Sequence, residues 1–190
     1  MKFSFARHGK TEYNERGVVA GHRDVPLSQT GINEAQALAE ELRDAKFDII
    51  FCSPLSRAAQ TAEIINQYHN VPIVYDSRII ERDCGKMAGK NFAELDAQKQ
   101  NWSWIIGDRR CQSLKVETVD SMLKRTQAFV DMLENKYADK NVLVVAHSGV
   151  ASCFRALQNN AQKGDDILGR TANAKLLEFD VQSSNQREKE

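Results

Sequence analysis

Apolar residues along this chain fall into two kinds of stretch, short continuous runs and longer segments in which they return every three or four positions. The alternation of the two predicts the fold class. Continuous runs occupy positions 3–6, 47–52, 71–75 and 141–146 and read as strands; 3–6 and 141–146, the latter the clearest, read as buried, and 47–52 as buried on both faces. Helical spacing appears from Ser28 or Thr30 onward in Ile32, Ala35, Leu38, Ala39 and Leu42. It returns in Leu55, Ala58, Ala59, Ala62 and Ile65, again between positions 118 and 137, and in 152–157. Ser53-Pro54 reads as an N-cap followed by a proline at the first helical position. Positions 174–179 alternate as an edge strand would. The pattern predicts an α/β fold, a mostly parallel central sheet with helices on both faces and an edge strand near the C-terminus.

The remaining segments are polar. Positions 10–27 are punctuated by glycine and read as a loop lying over the end of the first strand. Gly85 and Gly89 mark another loop, 91–99 a short helix, and 101–115 a poorly patterned stretch. In that stretch Trp102 and Trp104 read as core or lid packing, and Arg109-Arg110 as an exposed pair in a loop. Positions 158–170 form a polar connection, and the tail from 182 reads as frayed.

Composition narrows the picture. A chain of 190 residues fits one domain, 1–190, with a sizeable core. Lysine plus arginine equals aspartate plus glutamate at 26 each, so no global field favours nucleic acid or an acidic membrane surface, and any anion site must be local. The four cysteines are scattered without a C-x-x-C pair, which disfavours zinc and a disulfide framework and suits reduced thiols in the cytosol. No run approaches the ~20 apolar residues of a membrane span, and Met1-Lys2 leads into the first strand without a signal-peptide core. The expectation is a soluble, cytoplasmic protein.

Candidate chemistry begins where the first strand stops, at Arg7-His8-Gly9. An arginine supplies planar donors and fixed charge, and a glycine lets backbone approach a ligand, a combination suited to phosphate; the plainer alternative is a strand running into a polar turn. Three later features bear on the choice. Arg57 falls about one turn into its helix and can lean back toward the end of the preceding strand. His147 follows the strand 141–146, so a second histidine stands at a second strand end. Glu81 sits among charges beside the short apolar pair Ile79-Ile80. Ligands in parallel α/β folds bind beyond the carboxyl ends of the strands, and Arg7, His8, Arg57 and His147 all lie just there, which favours an anion site. A serine hydrolase built on Ser148 fails the G-x-S-x-G test, since Ala146 and Gly149 flank the His147-Ser148 pair.

These residues resemble the histidine phosphatase superfamily, also called phosphoglycerate mutase-like. Arg7-His8-Gly9 with Thr11 and Asn14 is similar to its signature. The resemblance continues through Gly21, Asp24, Leu27-Ser28, Gly31, Ser53-Pro54-Leu55-Ser56-Arg57-Ala58, Gln60-Thr61-Ala62, Glu81-Arg82, Gly85, Gly89 and Ala146-His147. It implies a phosphomonoester hydrolase acting through a phosphohistidine on a small phosphorylated metabolite, with no metal and no cofactor. His8 would be the nucleophile, Arg7, Arg57 and His147 would hold the phosphoryl oxygens, and Glu81 would protonate the leaving alkoxide and activate water. Asn14, the Gly9 backbone and Gly21 would complete the binding site. Ser148-Gly149-Val150 stands where mutases of the family have Gly-Asn after the second histidine, and the chain is short, so hydrolysis is expected over mutase-type transfer. Arg109-Arg110 nevertheless resembles a sugar-phosphate-binding pair of mutases, and Cys84 and Ala88 replace commoner rim residues. A phosphate- or phosphoprotein-binding module without catalysis is the rival class; the complete set His8, Glu81, Arg57 and His147 speaks against it.

Overall fold

The computed structural model describes residues 1–97, 108–159 and 171–182, with side chains omitted at 96–97 and 108–110. Five strands form one sheet: β1 (Lys2–Arg7), β2 (Ile49–Cys52), β3 (Ile73–Tyr75), β4 (Val142–Ala146) and β5 (Leu176–Asp180), in the order β3-β2-β4-β1-β5. All neighbours are parallel except β5, which pairs antiparallel with β1 at the sheet edge. The mostly parallel sheet and the C-terminal edge strand are those expected from the sequence. β3 is the opposite edge, and its residues Val74 and Tyr75 are exposed.

Side-chain alternation splits the core in two. On β4, Val142, Val144 and Ala146 face one side of the sheet and Leu143 and Val145 the other. The first side packs against α6 (Val119–Tyr137) and α7 (Ser148–Gln158) through Phe129, Val130, Leu133, Val150 and Phe154. Against the second lie α2 (Gln29–Glu41) and α3 (Ser56–Asn66), through Leu38, Ala39, Ala58, Ala62 and Ile65. A separate small core of Val19, Cys84, Met87, Leu95, Cys111 and Val116 sits outside both faces. It is formed with the short helices α4 (Phe92–Ala97) and α5 (Asp108–Leu114).

Four expectations change. Ser53 does not cap α3; the helix begins at Ser56, whose amide donates to Asp24 Oδ1 at 2.7 Å, so a side chain from the preceding loop caps it. The 10–27 loop contains one helical turn, α1 (Glu12–Glu15), closed by a reciprocal Thr11–Asn14 capping box. Helix α5 occupies part of the stretch that lacks pattern, so Arg109 and Arg110 lie on a helix and not in a loop; their side chains, like Trp102 and Trp104, fall outside the described residues. α7 starts at Ser148, four residues earlier than its apolar spacing suggests. Most of the 158–170 connection and positions 183–190 of the tail also lie outside the described residues.

Gly31, in the first turn of α2, shows how tightly the loop after β1 is held. A Cβ there would overlap the carbonyl oxygen of Lys10, which is backbone and accepts from Ser28 N at 2.9 Å. Gly31→Ala is expected to lower the unfolding free energy by about 1–3 kcal/mol, measurable by urea titration, because the clash cannot be relieved by rotating a side chain.

Candidate active site

Parallel register brings three strand ends level. Arg7 pairs with Ala146 and Cys52 with Val145, and the ladder continues one step further through His8 N to Ala146 O (3.0 Å) and Ser53 N to Val145 O (3.0 Å). His8, His147 and Ser53 therefore emerge side by side. Both histidines are buried, and their ring centroids stand 5.1 Å apart. His8 lines a cavity of about 480 Å³, whose wall also includes Arg7, Asn14, Gly21, Arg57 and Glu81.

Hydrogen bonds assign the tautomer of His8. Its Nδ1 lies 2.6 Å from the Gly9 carbonyl, which can only accept, so Nδ1 carries the proton and Nε2 of the neutral ring presents a lone pair. The pKa of His8 is held well below its ordinary 6.5 by burial first, then by Arg57 and Arg7, against a smaller upward push from the Gly9 bond. Burial, Arg57, His8, Arg7 and Arg125 depress His147 in the same sense. Its Nε2 is 2.7 Å from Ser53 Oγ, while the buried Nδ1 makes no hydrogen bond within the protein. With Ser53 donating to Nε2, Nδ1–H becomes a donor to a ligand.

Two guanidinium groups supply positive charge. Arg57 is 1% exposed; its two terminal nitrogens donate to the carbonyls of Arg23 (2.9 Å) and Gly21 (2.9 Å), and its buried Nε makes no hydrogen bond within the protein. Burial pulls its pKa down, opposed by Glu81 and Asp24, and a guanidinium keeps its charge all the same. Arg7 donates to the carbonyl of Thr171. The first turn of α7 adds Ser148 and Gly149 to the cavity wall, where free amide groups favour an anion.

Glu81 follows the 3-10 turn Ser77–Ile79. Its Oε1 accepts from Arg82 N at 2.9 Å, and the carboxylate lies so close to α7 that a Cβ at Gly149 would overlap it. Glycine after Ser148 thus makes room for the acid.

The fold brings Arg7, His8, Asn14, Gly21, Arg57 and Glu81 to one cavity, with Gly9 and His147 against His8, in some cases with a different task from the one expected. Gly9 N is already donated to Thr61 Oγ1 (3.1 Å), so Gly9 acts on His8 through its carbonyl. Gly21, at φ +54, accepts from Arg57 and faces Cys84 so closely that a Cβ would stand 2.9 Å from the Cys84 Cβ. Asn14 uses its Oδ1 in the capping box and lines the cavity. Sequence reasoning missed Ser53 as the partner of His147, Thr61 beneath Gly9, and Asn173, whose Nδ2 donates to His8 O at 2.9 Å. The thiol of Cys84 is pushed up to about 12, mainly by burial, and stays protonated. None of the four cysteines is in a disulfide, and all are buried. Among the described residues no group of three His, Cys, Asp or Glu is arranged to hold a metal, and no helix is long and apolar enough to cross a membrane.

A second groove of similar volume lies at the other end of the sheet, around Met1, Lys2, Lys46, Glu134, Asp139 and Glu178. Size does not separate the two; the mixed charge of the second groove and its lack of histidine do.

The chain belongs to the histidine phosphatase superfamily (branch 1), whose family model matches residues 3–189. It is 33% identical to the uncharacterized phosphatase PhoE of Bacillus subtilis over 87% of this chain and 79% of that one. To the adenosylcobalamin/alpha-ribazole phosphatase of Salmonella typhimurium it is 30% identical, over 82% and 78%. A mycobacterial glucosyl-3-phosphoglycerate phosphatase solved with VO3 superposes with a TM-score of 0.81 at 25% identity, covering 93% of this chain and 90% of that one. The protein is a phosphatase of the histidine phosphatase type.

The two depressed histidines bear on stability. Below pH 6.5 the unfolded chain protonates both rings while the folded state keeps them neutral, so the unfolded state binds more protons and stability falls as pH drops. Their contribution is fully present above about pH 6.5. Thermal unfolding followed from pH 7 to 5 is expected to show a falling midpoint, with a shallower slope in the double variant His8→Asn/His147→Gln; an equal slope would show that the rings are not kept neutral.

Proposed function

We propose that this chain hydrolyses small phosphomonoesters through a phosphohistidine on His8. The observation that carries this reading is the Nδ1–H to Gly9 carbonyl bond, which leaves a neutral, lone-pair-bearing Nε2 beside the Arg7, Arg57 and His147 donors and the Glu81 carboxyl. Nε2 attacks phosphorus and the P–O bond to the alcohol breaks. As the N–P bond forms the ring becomes cationic, and the Gly9 carbonyl stabilises that charge. Arg57 Nε–H, His147 Nδ1–H and the Arg7 guanidinium receive the charge spread over the phosphoryl oxygens, which is most of what phosphoryl transfer asks of a protein. Glu81 gives its proton to the leaving alkoxide. The resulting carboxylate removes a proton from water attacking the phosphohistidine, releasing inorganic phosphate and restoring both residues.

The cavity of about 480 Å³ suits a metabolite-sized substrate, and VO3 in the mycobacterial relative supports a phosphoryl site in this fold. Four buried cysteines outside any disulfide and the balanced charge support the cytoplasmic placement, without nucleic acid as a partner, expected from the sequence. We include in the proposal that 1–190 works as a single domain.

His8→Ala is expected to abolish both turnover and the acid-labile phosphoenzyme trapped from a labelled phosphomonoester. Glu81→Gln should lower kcat/KM for phenyl phosphate by roughly 100- to 10,000-fold, and that for p-nitrophenyl phosphate far less, because nitrophenolate leaves without a proton. Wild-type turnover by His8→Ala would overturn the reading. Release of inorganic phosphate separates hydrolysis from mutase-type transfer, and binding of phosphate without turnover or phosphoenzyme would identify a binding module.

A further inference from the structure

Glu81 stands in a segment that belongs to no helix or strand, since residues 80–84 follow the 3-10 turn Ser77–Ile79 as irregular chain. No sheet ladder fixes it, yet a proton donor misplaced by about 1 Å can lose on the order of 100-fold in rate. Something else must set its position. The only charged side chain to reach several carbonyls of this segment, among the described residues, is Arg125 from the middle of α6. Its Nη1 donates to Arg78 O and Ile80 O, both at 2.7 Å, and its Nη2 to Glu81 O at 3.2 Å.

The guanidinium is itself held from behind. Glu117 accepts from Arg125 Nε at 2.8 Å and Nη2 at 3.0 Å, a two-point pair with both side chains largely out of solvent. Burial pushes the Glu117 carboxyl up, but the Arg125 bonds outweigh it and leave the group below its ordinary range, so the pair is ionised. Glu117 also grips the chain on the far side of Glu81. Its carbonyl accepts from Arg82 Nε at 2.8 Å, and its amide donates to Asp83 O at 2.8 Å. Residues 78–81 hang from Arg125 and 82–83 from Glu117, with Glu81 between the two anchors.

We propose that the Arg125–Glu117 pair is the positioning device for the proton donor: it sets where the Glu81 carboxyl stands without touching substrate. This rests on the reading of Glu81 as general acid. A planar fork that satisfies three carbonyls and a carboxylate at once has no substitute in lysine, whose ammonium cannot span them. Misplacing Glu81 harms the step that needs its proton and the water step that follows, but only the first depends on the leaving group and enters kcat/KM, so the signature is a leaving-group bias in kcat/KM, which a loss of general stability would not produce.

The test compares kcat/KM for p-nitrophenyl phosphate and unsubstituted phenyl phosphate in wild type, Arg125→Gln, Arg125→Lys, Glu117→Gln and Glu81→Gln, since kcat/KM reports the barrier up to phosphoenzyme formation. Arg125→Gln is expected to fall at least tenfold further on phenyl phosphate than on the nitrophenyl ester, with Arg125→Lys giving little rescue and Glu117→Gln showing the same bias more weakly. Adding Arg125→Gln to Glu81→Gln should cost nothing further on the ratio, because the acid is already gone. Equal losses on the two esters, or an added bias in the double variant, would overturn the proposal. Should Arg125→Gln fail to fold, Glu117→Gln decides on the same ratio. A Glu81→Gln variant without leaving-group bias would sink the general-acid reading itself; a biased Glu81→Gln beside an unbiased Arg125→Gln would sink only the positioning role.

Discussion

The parallel pairing of β4 with β1 on one side and β2 on the other is the constraint from which the site follows. Both hydrophobic layers enforce that register. A slip of one residue in β4 would turn Val142, Val144 and Ala146 toward α2 and α3, and Leu143 and Val145 toward α6 and α7, exposing the packing of both faces to mismatch. The bonds from His8 N to Ala146 O and from Ser53 N to Val145 O carry the same register past the last strand residue. His8, His147 and its serine partner thus inherit their relative positions from ordinary core packing.

Placing two guanidinium groups beside two buried imidazoles has an electrostatic price. Desolvation and like charge keep both rings neutral; the guanidinium groups donate to carbonyl oxygens of Gly21, Arg23 and Thr171, and Glu81 and Asp24 stand near Arg57 as opposite charge. A phosphate dianion supplies the charge that the pocket lacks. The pocket is therefore already arranged for the form of the ring and the charge of the ligand that phosphoryl transfer requires, and reorganisation on binding can be small.

The layers, the sheet and the strand-end residues were legible in the sequence because they derive from period and punctuation. Arg7, His8 and His147 stand at the ends of buried runs and Arg57 in the first turn of the helix that follows another, so position alone marks them. The features that escaped depended on pairings between distant segments. Ser53 looked like a helix cap because Ser-Pro before an apolar helix usually is one; here Asp24, 32 residues earlier, caps Ser56, and Ser53 is free to meet His147. Arg125 was hidden in a helix read as scaffolding. The signal was present, since 125 falls among Met122, Thr126 and Phe129 on the inward side, and an arginine on such a face needs buried partners. Helix α5 carries no clear apolar period and forms around the single buried Cys111 and its neighbours in the small core. The Gly9 amide, expected to meet phosphate, is taken by Thr61, a contact that no spacing could reveal.

That small core gives the fold an unusual division. Val19, Cys84, Met87, Leu95, Cys111 and Val116 come from five separate stretches and share no residue with the layers that hold the sheet. Val18, Val19, Ala20, Cys84 and Phe92 face the cavity from this side, tied together by Val19 N to Lys90 O, Gly89 N to Val19 O and Phe92 N to Gly17 O. Side chains of this wall can be exchanged while strand register and both histidines stay where they are. Diversification of the alcohol portion and preservation of the phosphoryl step are therefore separable in this architecture, and a lineage can drift in diet without relearning its reaction.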